Sequence, residues 1–117
     1  MKKTHLYLML LLAFAFLQSC NKDQYVTTTH NLKINEPLVF DFGSFGDEEG
    51  ASIKKQASHF LVSSFFVLPD GHRIYTYTPS KNFEGDDEVQ ISTNRGSNGF
   101  GPNGNITIHI IKITVTK

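Results

Sequence analysis

The chain has 117 residues, 11 Lys+Arg against 11 Asp+Glu, a single Cys and no Trp. A formal charge of zero excludes the basic footprint that nonspecific nucleic-acid binding needs, so no nucleic-acid partner is expected. The 39% apolar and 12% aromatic content excludes a wholly disordered chain, the length allows one small domain, and one Cys forbids an internal disulfide.

The first segment reads as an address. Lys2 and Lys3 precede an unbroken apolar run from Leu6 to Leu17, followed by the small polar Gln18-Ser19. This is the layout of a helical secretory signal covering residues 1–19. A membrane-spanning helix needs roughly 20 apolar residues, and this run is too short. Leu17-Gln18-Ser19-Cys20 resembles the lipobox of bacterial lipoproteins, with a hydrophobic residue three places before Cys and a small one directly before it. The resemblance implies cleavage before Cys20, acylation of its thiol and amino group (palmitate), and anchoring to the membrane through those acyl chains. It places the protein in the cell envelope on the outer membrane, on either its periplasmic or its outer face. Two or three chains at about 0.8 kcal/mol per buried CH₂ hold a domain on a bilayer where one does not. Residues 20–24, the lipidated Cys and Asn21-Lys22-Asp23-Gln24, form a short polar tether. Cleavage removes Lys2 and Lys3, so 11 Lys+Arg become 9 against an unchanged 11 Asp+Glu, a formal charge of −2.

From Tyr25 to Lys117 the pattern has period two and no helical spacing, which predicts an all-β chain. Leu38, Phe40 and Phe42 alternate with Val39 and Asp41 after Pro37. Ser58 to Leu68 is a β-branched and aromatic run apolar at both parities, a strand expected to be at least partly covered on both faces. Pro69-Asp70-Gly71-His72 is turn chemistry and predicts a hairpin into Arg73–Thr78, with Tyr75 and Tyr77 on one face. Asp87–Thr93 points Val89 and Ile91 inward. Ile106–Thr116 changes parity between Ile110 and Ile111, which predicts a β-bulge or a change of partner. Gly43–Gln56 and Asn94–Asn105 read as loops. Short strands between turn signals indicate a single antiparallel β-sandwich over residues 25–117.

Tyr77-Thr78-Pro79, Asn82-Phe83-Glu84-Gly85-Asp86-Asp87, Val89-Gln90-Ile91 and Ile113-Thr114-Val115-Thr116 together resemble the repeat of bacterial Ig-like and cadherin-like modules. The resemblance implies an Ig-like sandwich in which Pro79 ends a strand, Phe83 plugs one end and Gly85 permits a turn. Val89 and Ile91 stand where the family prefers aromatic residues. Such modules serve as stalks, adhesins, spacers and binding domains, so fold alone names no partner.

Chemistry-bearing residues are sparse. Glu84, Asp86 and Asp87, with Glu88, are candidate calcium ligands because hard cations take clustered carboxylates; a solvated turn that keeps an edge strand from pairing explains them equally. Asp47, Glu48 and Glu49 read the same way. His30, His59, His72 and His109 lack the short spacing of a zinc site. No nucleophile elbow, HExxH or Cys–His pair is present, so no enzyme and no catalytic residues are expected. In the Gly-rich loop, Phe100 with Asn98 and Asn103 form a candidate recognition site for a protein or glycan, the alternative being that Phe100 folds back to cap the sandwich. Two functions follow as expectations: a lipid-anchored envelope protein that binds or serves a surface assembly, or a small inhibitor or immunity-type lipoprotein that blocks an enzyme through a loop.

Overall fold

A computed structural model describes residues 23–96 and 106–117. Seven strands follow in chain order: β1 (Gln24–Lys33), β2 (Leu38–Ser44), β3 (Gly50–Lys55), β4 (Phe60–Val67), β5 (His72–Pro79), β6 (Gly85–Asn94) and β7 (Ile106–Thr116). They form a four-stranded sheet of order β1-β7-β6-β3 and a three-stranded sheet of order β2-β5-β4. The domain is an all-β sandwich of two sheets, and no helix among the described residues is long and apolar enough to cross a membrane.

Alternation builds the core. In β5 Tyr75 and Tyr77 are fully buried, and in β6 Val89 and Ile91 are too, while their even- or odd-numbered neighbours turn away. Ile111, Ile113 and Val115 of β7 and Leu32 of β1 complete this face, and Phe42 closes it from the opposite sheet. Each such side chain contributes about 1.5–3 kcal/mol by leaving water. Phe83, expected as an end plug, is partly buried against the core and stacks on His59 with centroids 4.4 Å apart. The turn after Leu68 forms the expected hairpin: Gly71 N–H donates to Leu68 O at 2.9 Å, and Gly71 takes φ 88°, which glycine adopts without strain.

Four expectations are corrected. The sandwich is not wholly antiparallel, because β1 runs parallel to β7 from Gln24↔Thr107 to Lys33↔Thr116. The segment Gly43–Gln56 is not all loop: β3 lies within it and pairs with β6, its polar sequence hiding a short edge strand that carries one partly buried apolar contact, Ile53. β7 has no bulge, since its register with β6 is continuous from Ile106 to Val115. Thr107 and His109 simply continue the inward parity of Ile111, with the His109 ring 5.0 Å from that of Phe42, and Ile106, Ile108 and Ile110 have the opposite parity, Ile108 nevertheless being buried at 1% exposure. Lastly, β4 is not covered on both faces. It is the edge of the three-stranded sheet, and most of its apolar side chains are exposed.

Candidate functional site

The carboxylates singled out in the sequence do not converge. Strand alternation sends Asp86 and Asp87 to opposite faces of β6. Asp86 is exposed, its Oδ1 accepting from Thr114 Oγ1 at 2.9 Å, and Glu84 is exposed in the turn before β6. Asp87 points into the sandwich and is 7% exposed. Its Oδ1 accepts from Ser58 N–H (2.8 Å) and Glu88 N–H (2.9 Å), its Oδ2 from His59 N–H (2.8 Å) and Tyr77 O–H (2.9 Å). Burial alone pushes its pKa up, but the three amides and the hydroxyl outweigh burial and hold the carboxyl below its ordinary value. Burial, reinforced by the bonded Asp87, pushes the Tyr77 hydroxyl far above its usual range, so it stays a donor. Asp87 therefore pins the β3–β4 link to the core. Among the described residues no group of three or more His, Cys, Asp or Glu side chains is placed to hold a metal ion. Cys20, Asn98, Phe100 and Asn103 lie outside the described residues.

Beside the Asp87 knot an open depression of about 480 Å³ lies against β6 and β7, lined among others by Lys55, His59, Asp86, Glu88, Lys112 and Thr114. Opposite charges face each other across its strands: Glu88 is in register with Lys112, and Lys55 Nζ lies 3.9 Å from Glu88 Oε1. Paired charges of this kind contribute little to stability.

A second polar cluster sits at the β4–β5 turn. His72 Nδ1 lies 2.9 Å from Asp41 Oδ2, and this bond raises the imidazole pKa. The Gly43 N–H and His72 together lower that of Asp41. Nearby, Arg95 donates to the carbonyls of Phe42 and Ser44 and lies 3.9 Å from the centroid of Phe45. The guanidinium thus ties the end of β6 to β2 across the sandwich.

The most unusual surface is β4 itself. Leu61 is 70% exposed, Val67 55% and Phe66 46%, and Phe60, Val62 and Leu68 are also exposed. On the inner side Ser63 is buried, its Oγ bonded to Tyr75 Oη at 2.6 Å and to Gln56 Oε1, and Phe65 packs against the core. Scattered exposed apolar residues are normal on a soluble protein, whereas here six gather around one edge strand. A run apolar at both parities is the pattern of a central strand and of an exposed edge strand alike, so the sequence did not separate the two.

No family model and no curated protein matches the chain. Among solved structures it is similar to an endo-fucoidan hydrolase from glycoside hydrolase family 107, at 10% identity and a TM-score of 0.51. That similarity covers 81% of this chain and 13% of the hydrolase, so the chain spans a small fraction of that enzyme's length. A solution structure of amebosin aligns at 12% identity and a TM-score of 0.40, over 82% of this chain and 100% of the other. At such identities the likeness to the hydrolase concerns fold.

Proposed function

We propose that this chain is a lipid-anchored cell-envelope protein whose Ig-like domain acts by binding, or as a structural part of a surface assembly, rather than by catalysis. The single observation carrying the binding role is the uncovered apolar surface of β4 on an otherwise well-packed sandwich. The anchor rests on Leu17-Gln18-Ser19-Cys20 after a short apolar run. Strand order supports the Ig-like reading. The Ig constant-type sandwich divides into strands ABED and CFG; here β2-β5-β4 correspond to B, E and D and β7-β6-β3 to G, F and C. The first strand has moved from the edge of one sheet to the edge of the other. A domain held at its amino-terminal end by acyl chains presents its sandwich faces and edges to other macromolecules, and an apolar edge gives such a partner something to cover.

Metabolic labelling with palmitate tests the anchor. The wild-type chain is expected to incorporate label and fractionate with membranes, and Cys20→Ala to lose both; unchanged labelling in the variant would sink the lipoprotein reading.

A further inference from the structure

The start of β1 marks one end of the sandwich. Gln24 opens β1 opposite Thr107, Ile106 opens β7 opposite Asn94 at the end of β6, and Asn94 faces Gly50 at the start of β3. In the other sheet Ser44 meets His72 and Val67 meets Arg73, and Arg95, just past β6, reaches the carbonyls of Phe42 and Ser44. The start of β1, the β4–β5 turn and the β2–β3 link therefore share one end. Cys20 stands four residues before Gln24, so at about 3.3–3.6 Å per residue an acylated Cys20 holds the start of β1 within about 14 Å of the lipid headgroups.

We propose that this end of the domain is a docking surface for a bilayer of zwitterionic phospholipid, whose headgroup carries both a phosphate and an ammonium. The inference rests on the lipid-anchor reading and adds to it the surface that meets the membrane. Apolar side chains rim this end: Tyr25 and Val26 beside the tether, and Val67 and Leu68 entering the β4–β5 turn, are exposed. Tyrosine favours the headgroup level, where its ring leaves water and its hydroxyl stays wet. The far end is different. Its β5–β6 turn exposes Lys81, Asn82 and Glu84, beside Lys33, Glu36 and Lys117. Phe60 and Leu61 are also exposed, but Phe60 lies about 23 Å up β4 from Val67, away from the tether.

The charges at the tether end have both signs. The guanidiniums of Arg95 and Arg73 lie over the Phe45 ring, 3.9 and 5.8 Å from its centroid, and Arg95 is exposed. Bonds to the Phe42 and Ser44 carbonyls use part of the Arg95 fork and leave other N–H donors for a phosphate. Asp47 and Glu48 in the β2–β3 link and Asp70 in the turn are exposed carboxylates, while Glu49 stands 4.0 Å from Arg95 and Asp41 is bonded to His72. A phosphate thus meets Arg95 and an ammonium meets the acids, whereas a purely anionic headgroup is repelled by Asp47 and Glu48.

The test uses the lipidated full chain in vesicles of phosphatidylethanolamine and phosphatidylcholine. Leu68→Cys at the tether end and Lys81→Cys at the far end each carry a thiol-linked fluorophore; an acylated Cys20 takes none. A group sunk about 5–10 Å into the headgroup boundary is shielded from water, so acrylamide should quench the label at 68 about fivefold less than the label at 81. Adding Tyr25→Asp, at an exposed position, should abolish that difference with an unchanged β spectrum by circular dichroism. In phosphatidylglycerol vesicles the difference should shrink by about half or more. Equal quenching at the two sites overturns the proposal, as does protection that Tyr25→Asp leaves intact or that only phosphatidylglycerol confers. Palmitate labelling is read on the same samples. A chain without palmitate removes the anchor and the docking with it, whereas a palmitoylated chain quenched equally at both sites removes the docking alone.

Discussion

Removing the Asp87 carboxylate should be among the most damaging single changes in the domain. The substitution Asp87→Ala strips acceptors from the amides of Ser58, His59 and Glu88 and from the Tyr77 hydroxyl. Tyr77 keeps a partner, because its hydroxyl also donates to His59 O at 3.0 Å, whereas the Ser58 and His59 amides lose the side chain that anchors their link. Hydrogen bonds to a charged acceptor contribute about 1.5–3 kcal/mol each, and a buried donor left without a partner costs about 1–3 kcal/mol. Two strongly affected amides therefore predict a loss of about 3–5 kcal/mol, a large part of the 5–15 kcal/mol typical of a domain. Linkage gives the pH signature. The folded pKa of Asp87 lies below its unfolded value of about 3.9, so its contribution is present above that pH and is lost as the pH falls through the lower folded value. Urea unfolding of wild type and Asp87→Ala should thus show a gap that is full at pH 7 and narrows below about pH 4. A gap under about 1 kcal/mol at pH 7, or one that does not narrow in acid, would refute the assignment of Asp87 as the pin.

Three further outcomes are expected. Val89→Asp places an unpaired carboxylate at a position with no exposure and should cost several kcal/mol, about enough to unfold the domain, which circular dichroism melting reads directly. His72 should titrate above an ordinary histidine by NMR because Asp41 accepts from its protonated ring, and Asp41→Asn should bring it back down. The sign follows: His72 stabilises the fold fully below about pH 6.5, and that contribution fades as pH rises through its raised value. His109 should titrate below the usual range through burial first and the Arg95 charge second, so Arg95→Gln restores only the smaller part of the shift; full restoration would mean that charge, not burial, dominates.

Much of the sandwich was legible because period-two alternation is written in side chains that do not depend on neighbours. Val89 and Ile91, inward in the sequence pattern, are buried in the fold, and Tyr75 and Tyr77, placed together on one face, are buried as well. The failures came where position within a sheet decides exposure. Phe60–Val67 reads alike whether it is central or at an edge, and only strand order separates the two. His109 occupies an inward slot that an apolar-only reading skips, which is why β7 seemed to change face. Asp86 and Asp87 were read as one cluster with Glu84 although strand alternation separates them, and the burial of Asp87 depends on the amides of Ser58 and His59, 29 and 28 residues away in sequence. Arg95 was likewise silent, since its partners belong to β2.

The parallel pairing of β1 with β7 fixes how the domain answers a pulling force. Because the two strands run the same way, Gln24 lies at one end of the sandwich and Thr116 at the other. A load applied through those two ends slides β1 along β7, so the ladder from Gln24↔Thr107 to Lys33↔Thr116 is strained in shear as one unit. An antiparallel pair loaded at one common end would instead peel open one bond at a time.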